Sequence, residues 1–422
     1  RSGIFFAEKR PFFLEGNEIF NIAGAGVFAP DPVLAGVHTR TIENPLLGLK
    51  LSGKIGKRST LASIYALDEP TGASEPKSHV PIVRFKQALS GDDSYLGALY
   101  TGREVQGTYN RVLGTDGSLR TSQSDVIDYN VFTSDTKSTD STDAVTGHSV
   151  ALGFNSGTRD LQYGLGFNKV STDFNTQTGF LLRTGILAFS GYVTPKFYPE
   201  SGAIRRIDVT LYSSQIRDDF SKLWETFNFL RFQAVLPGGL SFSVRGKYSS
   251  EIFAGQRFRT DGLLVSGGGQ FTREVNLSLS YDYSKSIYYP APYQGVQSLL
   301  SATLTYQPWN QFEARLSLTH VSFTRDSDDL KIYEYPIGRA RLTYQLNKYL
   351  FFRGILEYNK LRRTMLTDFL ASFTYIPGTV IHAGYGSLYQ RQEWQTNAYV
   401  NVDPFSEFRR GFFMKMSYLW RS

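Results

Sequence analysis

The 422-residue chain carries 45 Lys and Arg against 38 Asp and Glu, a formal charge of +7, and no Cys. The basic residues are scattered, with neither a basic stripe nor a recognised motif, which argues against nucleic acid as a partner; the lack of Cys excludes a disulfide framework and thiolate metal sites. No apolar run reaches about 18 residues, so there is no transmembrane helix, but a closed β-barrel satisfies every backbone group in lipid without one.

Residues 1–33 show no helical or alternating period. The chain begins at Arg1 with no signal-peptide pattern, so a targeting segment, with or without a further domain, is expected upstream. Glu8 to Phe20, EKRPFFLEGNEIF, packs charge, proline, paired Phe and glycine together. Pro11, Pro30 and Pro32 suit an irregular packed segment. Such apolar content argues against a disordered tail. Phe12, Phe13, Leu14 and Phe20 are expected to pack against the inner wall or periplasmic end of a barrel, with Arg10 and Glu15 bonded to lumen groups.

From Leu34 onward the pattern is short alternating segments. LAGVHTRTI (Leu34 to Ile42) reads as the first ascending strand and Asn44 to Gly56 as a descending one. Looser polar connections at Asp68–Ser78, Asp135–Gly147 and Arg325–Asp329 alternate with tight turns near Gly56, Gly91, Gly157, Pro237, Pro308, Asn347 and Pro377. In Leu240 to Tyr248, Leu240, Phe242, Val244 and Tyr248 oppose Ser241, Ser243, Arg245 and Lys247. Gly267-Gly268-Gly269 lacks the Lys-Ser/Thr of a phosphate loop and reads as a bend or bulge. In Glu274 to Ser284, Val275, Leu277, Leu279, Tyr281 and Tyr283 face away from Asn276, Ser278, Ser280 and Asp282. The same alternation recurs at Leu300–Gln307 and Arg339–Leu346, and period 2 over this length means strands with one apolar and one polar face. In the final segment Phe412, Met414, Met416, Tyr418 and Trp420 form an aromatic, apolar face.

Sandwich strands average about 5–6 residues, whereas these approach the roughly 9–11 of tilted spanning strands. A propeller would repeat every 40–45 residues or so, and no such repeat occurs. The fold class is therefore all-β: a transmembrane antiparallel β-barrel of about 22 strands, within about 20–24. Residues 1–33 form an irregular plug or periplasmic linker, and 34–422 the barrel. The parity of the turns places the C-terminus in the periplasm.

Several stretches resemble one family, the outer-membrane barrel region of uncharacterised function that follows a carbohydrate-binding family 9-like domain. They are EKRPFFLEGNEIF, HTRTIE, LLGLKLSGKIG, LFFRGILEYNK, LTDFLASFTYIPGTVIHAGYGSLYQ and the terminal FFMKMSYLWRS. The likeness spans nearly the whole chain, with Arg10 to Gly16 its most specific piece. Arg40-Thr41 departs from the paired Arg usual there. The resemblance implies an upstream domain with a carbohydrate-binding look and carries over no catalytic residue, cofactor or metal. The terminal strand also resembles the signal read by the barrel-assembly machinery.

On a barrel the polar face lines the lumen. Arg245, Lys247, Arg339, Arg341, Arg353 and Glu357 then either select solutes or hold a plug by ion pairs. Arg257, Arg259, Arg362, Arg363, Arg409 and Arg410 fall at expected extracellular strand ends, where guanidinium groups pair with lipopolysaccharide phosphates or stay solvated. For catalysis, His382 and Ser387 on one strand would lie on opposite faces, about 17 Å apart, too far to pair; His320 takes an interfacial place. Asp326, Asp328 and Asp329 match no calcium-loop spacing. The leading expectation is a plugged or gated outer-membrane translocation pore. Its saccharide-related solute is implied by the resemblance alone. The alternatives are a non-conducting anchor or docking barrel for the upstream domain or protein partners, and, third, an outer-membrane hydrolase.

Overall fold

The computed structural model describes residues 5–24, 26, 31–69, 76–89, 94–139, 143–376, 378–395 and 398–418. Pro30, Gly91, Pro377 and Trp420, used above, lie outside them. Among the described residues the first strands are β1 (Val33–Ala35), β2 (Pro45–Ile55), β3 (Ser59–Asp68), β4 (Ser78–Ala88), β5 (Tyr95–Val105) and β6 (Thr108–Arg120). There follow β7 (Asp125–Lys137), β8 (Val145–Gly157), β9 (Leu161–Val170), β10 (Phe180–Leu181), β11 (Ile186–Phe197) and β12 (Arg206–Asp218). Next come β13 (Trp224–Val235), β14 (Ser241–Phe253), β15 (Gln256–Arg259), β16 (Gly262–Gln270), β17 (Val275–Tyr288) and β18 (Tyr293–Trp309). The last are β19 (Phe312–Arg325), β20 (Lys331–Gln345), β21 (Leu350–Asn359), β22 (Thr364–Ile376), β23 (Thr379–Gln395) and β24 (Ala398–Ser417).

All but β1 and β10 make up one 22-strand barrel sheet, and the strand pairs are antiparallel, as in β3–β4 and β19–β20. The fold is a transmembrane antiparallel β-barrel. One strand expected from the sequence is not there. Leu34 to Ile42 does not enter the barrel: β1 pairs with β10, a 3-10 turn follows at Thr39–Thr41, and the first barrel strand begins at Pro45. The reason is burial on the wrong side, since Val33, Thr39 and Ile42 are enclosed and a wall strand must give one face to lipid. The count of 22 is reached instead because the partner of β14 is interrupted at Thr260-Asp261 and enters as two strands, β15 and β16.

The alternation of long and short connections also has exceptions. Gln106-Gly107 and Ala254-Gly255 are two-residue turns where longer loops were expected, while residues 198–205 make a long one where a turn was expected. Gly107 turns at φ +79°, a left-handed conformation that glycine adopts without a Cβ clash.

The chain forms two compact units, each described by itself. The first comprises Arg1–Lys196, Thr210–Phe229 and Ser249–Arg257; the second comprises Phe197–Val209, Leu230–Tyr248 and Phe258–Ser422. In the first, outward residues such as Leu49, Leu113 and Leu165 are exposed, as a lipid-facing band requires. Its inward rows are not simply polar. Ala62, Ile64 and Ala66 of β3 and Val80 and Ile82 of β4 are buried because the N-terminal segment packs on them. In the second unit the alternation is clean, with Leu279, Leu316, Leu342, Phe369 and Phe412 exposed on the outward face and polar residues in register between them.

Candidate functional site: an N-terminal segment latched to the wall, and a polar inward face

In the first unit, residues 5–24 and 31–43 build a packed insert. Pro11–Leu14 form one helical turn started by Pro11, where a missing N–H costs nothing. Gly16 then turns at φ +61° into a 3-10 turn, Asn17–Phe20. These turns bury Phe13 and Phe20, each 2 % exposed, in one cluster with Ile64, Ala66, Val80, Ile82 and Leu99 of the wall. Full burial of each ring contributes about 1.5–3 kcal/mol. Phe12 and Leu14 remain largely exposed, although the Phe12 ring lies over Gly48 of β2, where a Cβ would come within 3.1 Å of it.

Arg10 bonds within the insert rather than to wall side chains, and Glu15 meets the wall through its carbonyl, not its carboxylate. Arg10 donates to Glu8 Oε1 at 2.9 Å and to the carbonyls of Thr39 and Ile42 at 2.7 Å each, and stacks over Phe13 at 4.4 Å. Glu8 also accepts from Thr39 Oγ1 at 2.7 Å. Glu15 and Phe12 offer their carbonyls to Lys50 Nζ. The stretches EKRPFFLEGNEIF and HTRTIE are thus each other's partners, clasping the two ends of the insert.

Burial alone would raise the Glu8 pKa, but hydrogen bonds from Arg10 and Thr39 outweigh it and hold the carboxyl well below the usual range. A depressed folded pKa gives stability that is full above the unfolded value of about 4.3 and lost only as pH falls through the folded one. Hydrogen-exchange protection of the Thr41 and Ile42 amides should therefore be unchanged between pH 7 and pH 5. Glu8→Gln should weaken it at pH 7 by about 1.5–3 kcal/mol, the range for hydrogen bonds to a charged group.

The wall reaches in through charged residues. Arg84 of β4 and Asp116 of β6 are fully buried and paired, Nη2 to Oδ2 at 2.9 Å. Arg84 also donates to the carbonyls of Ile19 (3.3 Å) and Asn21 (3.1 Å), while Asp116 accepts the Ala23 N–H at 2.8 Å. Gly97 makes room for the pair: a Cβ there would sit 2.6 Å from Arg84 Nη1. Asn130 of β7 holds the Ala23 carbonyl (3.0 Å) and Asp31 (2.7 Å). Arg103 of β5 bridges Asp68 (3.2 Å) and the Thr41 carbonyl (2.6 Å). None of these wall residues was singled out from the sequence. The signal was there, in Arg84 and Asp116 placed on rows that otherwise read as inward, but a lone charge on a strand does not announce its partner.

A second inserted element is the connection 171–185. Its β10 pairs with β1, Thr178 accepts the His38 N–H at 2.7 Å, and Asn110 bonds Asn175 and Gln177. Arg183 ties it to Asp218 at 2.9 Å and to Glu225, beside a recess of about 870 Å³ lined by Leu182, Arg183, Asp218, Phe220 and Phe253. Gly147 is where this connection meets β8, and a Cβ there would lie 2.2 Å from the Phe174 nitrogen. Gly147→Val should displace residues 171–185 while leaving β8–β9 pairing intact, seen as faster exchange of the Gln177 and Gly179 amides; unchanged exchange would contradict the packing.

In the second unit the inward face carries Ser243, Arg245 and Lys247 of β14, Ser278 and Ser280 of β17, Thr303 and Thr305 of β18, and Arg315 and Ser317 of β19, all in register. It continues through Arg339 and Arg341 of β20 to Arg353 and Glu357 of β21. Arg339 stands 3.5 Å from Glu357, Arg341 2.6 Å from Glu313 and Arg353 3.0 Å from Asp368. Of these six predicted lumen residues, Arg339 and Glu357 are thus brought together. Further along the same rows lies an aromatic group: Tyr288 stacks on Tyr293 at 5.0 Å and Phe323 on Tyr333 at 5.5 Å.

The remaining predicted bases are dispersed. Arg257 is exposed on β15, Arg259 pairs with Asp261 at 2.9 Å, and Arg362 and Arg363 occupy the turn after β21. Arg409 and Arg410 lie inside β24 rather than at its end, because the β23–β24 hairpin runs past them to Gln395 and Ala398. Ser387 contacts Tyr385 and Glu407, and His382 pairs across the sheet with Ser372. Asp326 and Asp328 take Lys285 and Arg325. Among the described residues no three His, Asp or Glu gather as a metal site would need.

No family model and no curated protein sequence matches the chain. Solved structures do. The solved structure of the copper transporter OprC matches with a TM-score of 0.54 at 10 % identity, over 88 % of this chain and 79 % of that one. A ferric enterobactin receptor, PfeA, matches at 0.48 and 8 % identity over 86 % and 73 %. The siderophore receptor PirA from Acinetobacter baumannii matches at 0.45 and 8 % identity over 86 % and 74 %. At such identities the likeness to OprC establishes the shared fold: a large outer-membrane β-barrel.

Proposed function

We propose that the protein is an outer-membrane transport barrel obstructed by its own N-terminal segment, with the short turns and the C-terminus on the periplasmic side. The observation that carries this is the built-in insert: residues 5–24 and 31–43 are held on the inward wall by Phe13, Phe20 and the buried Arg84–Asp116 pair. The inward face of the second unit supplies a hydroxyl-rich, charged surface fit for polar solutes. The transporter that shares the fold supports the same task. A saccharide-related solute rests on the family resemblance, and the Tyr288–Tyr293 and Phe323–Tyr333 stacks would give its apolar ring faces a contact surface. Arg257, Arg259, Arg362 and Arg363 serve the lipopolysaccharide phosphates, and the β24 aromatic face serves recognition by the assembly machinery.

Planar-bilayer recording tests this. The wild-type barrel should conduct little, and Asp116→Ala or Phe20→Ala should open it intermittently. Silence in all three, with the barrel shown folded by its heat-modifiable migration, would remove transport. It would favour the second reading, a non-conducting anchor or docking barrel, for which the sharing of one apolar core by insert and wall speaks.

A further inference from the structure

Strand pairing in the second unit sets Arg315 of β19 directly opposite Arg341 of β20, and Ser317 opposite Arg339. The four line one recess of about 300 Å³ on the inward face. Like charges directly opposite on a sheet destabilise it, so this arrangement requires a reason. Glu313 neutralises Arg341 and Glu357 faces Arg339, but Arg315 has no ion-pair partner among the described residues. Three guanidinium groups thus meet two carboxylates. The Arg341 Nε is in addition a buried donor without a hydrogen-bond partner, which is costly to leave unmade.

We propose that this recess is an oxyanion site, taking one carboxylate, sulfate or phosphate group of a solute between Arg315 and Arg341, with Arg339 and the Ser317 hydroxyl beside it. An anion there relieves the opposition of Arg315 and Arg341 and gives the orphan Nε–H an acceptor. The guanidinium fork suits a planar or tetrahedral oxyanion in two-point contact, which an ammonium group does not match. The site names a ligand class for the passage proposed above and rests on that reading for its role, but binding is measured without flux, so failure of one is separable from failure of the other.

The experiment is calorimetric titration of the purified full chain in non-ionic detergent with sodium acetate, sodium sulfate and sodium phosphate, chloride balancing the ionic strength. Saturable binding is expected for at least one anion, and the tightest identifies the group. Arg315→Gln should weaken it tenfold or more and Arg315→Lys by an intermediate factor, because charge is kept and the fork lost. Arg159→Gln, exposed and remote in sequence, should change it less than twofold. In chloride alone, Arg315→Gln should melt no lower than wild type, since it removes a repulsion; this also shows that the variant is folded. Absence of saturable binding for all three anions, or equal affinity in wild type and Arg315→Gln, overturns the site. So does a lowered melting point of Arg315→Gln in chloride, which would make Arg315 a structural residue.

Discussion

Asp116→Ala should release the N-terminal insert from the wall. The substitution leaves the Arg84 guanidinium buried without a counter-charge and deprives the Ala23 N–H of its acceptor. Breaking a buried pair from one side costs about 3–5 kcal/mol, or roughly two to four orders of magnitude in the equilibrium for local opening. Hydrogen exchange of the Ile19 and Asn21 amides is the readout, with limited proteolysis between residues 19 and 23 beside it. Arg84→Met with Asp116→Leu should recover much of the loss, because the apolar pair leaves no orphan charge. Protection unaltered in Asp116→Ala would mean that the insert is held by packing alone.

Phe20→Ala carries an effect of similar size by a different route. The ring is nearly fully enclosed, in a cluster that joins the insert to β3, β4 and β5. Truncating a buried Phe costs about 3–5 kcal/mol through lost transfer energy and the cavity left behind. Phe12→Ala, at an exposed ring, should cost far less. Measuring both separates a specific anchor from general apolar content in EKRPFFLEGNEIF. Equal losses in insert protection would contradict the burial difference. Because Phe20 and Asp116 hold the same short stretch, their double variant should fall short of additivity.

How far these features could be read beforehand follows from what periodicity encodes. Alternation reports which face of a strand meets lipid, so Val275 to Tyr283 and Ala340 to Tyr344 were legible as spanning strands. Alternation says nothing about what covers the other face. On β3 and β4 both faces are apolar, and only the presence of Phe13 and Phe20 over Ile64 and Val80 explains it. Leu34 to Ile42 looked like a strand for the same reason: its apolar positions are real, but they serve the insert. The strand count survived that error only because Thr260-Asp261 splits one strand into two. The charged anchors were hidden by distance, Asp116 lying 32 positions from Arg84 and 93 from Ala23. By contrast, Arg339, Arg341, Arg353 and Glu357 were legible because each stands in a long polar row, although their partners Glu313 and Asp368 emerge only from register.

The clasp at the ends of the insert sets how the insert responds to force. Glu8 and Arg10 bond Thr39 and Ile42, so the segment leaves and returns at one place, while Phe20 and the Asp116–Ala23 bond hold it further along the excursion. A tension applied at Phe5 is borne first by the clasp alone. It reaches the Arg84–Asp116 anchors only after Arg10, and then the buried Phe13 and Phe20 rings, have let go. Bonds arranged to fail in succession yield at lower load than the same bonds loaded together. An insert held in this way resists thermal release through all its anchors together, and under a directed pull from one end it meets them one after another.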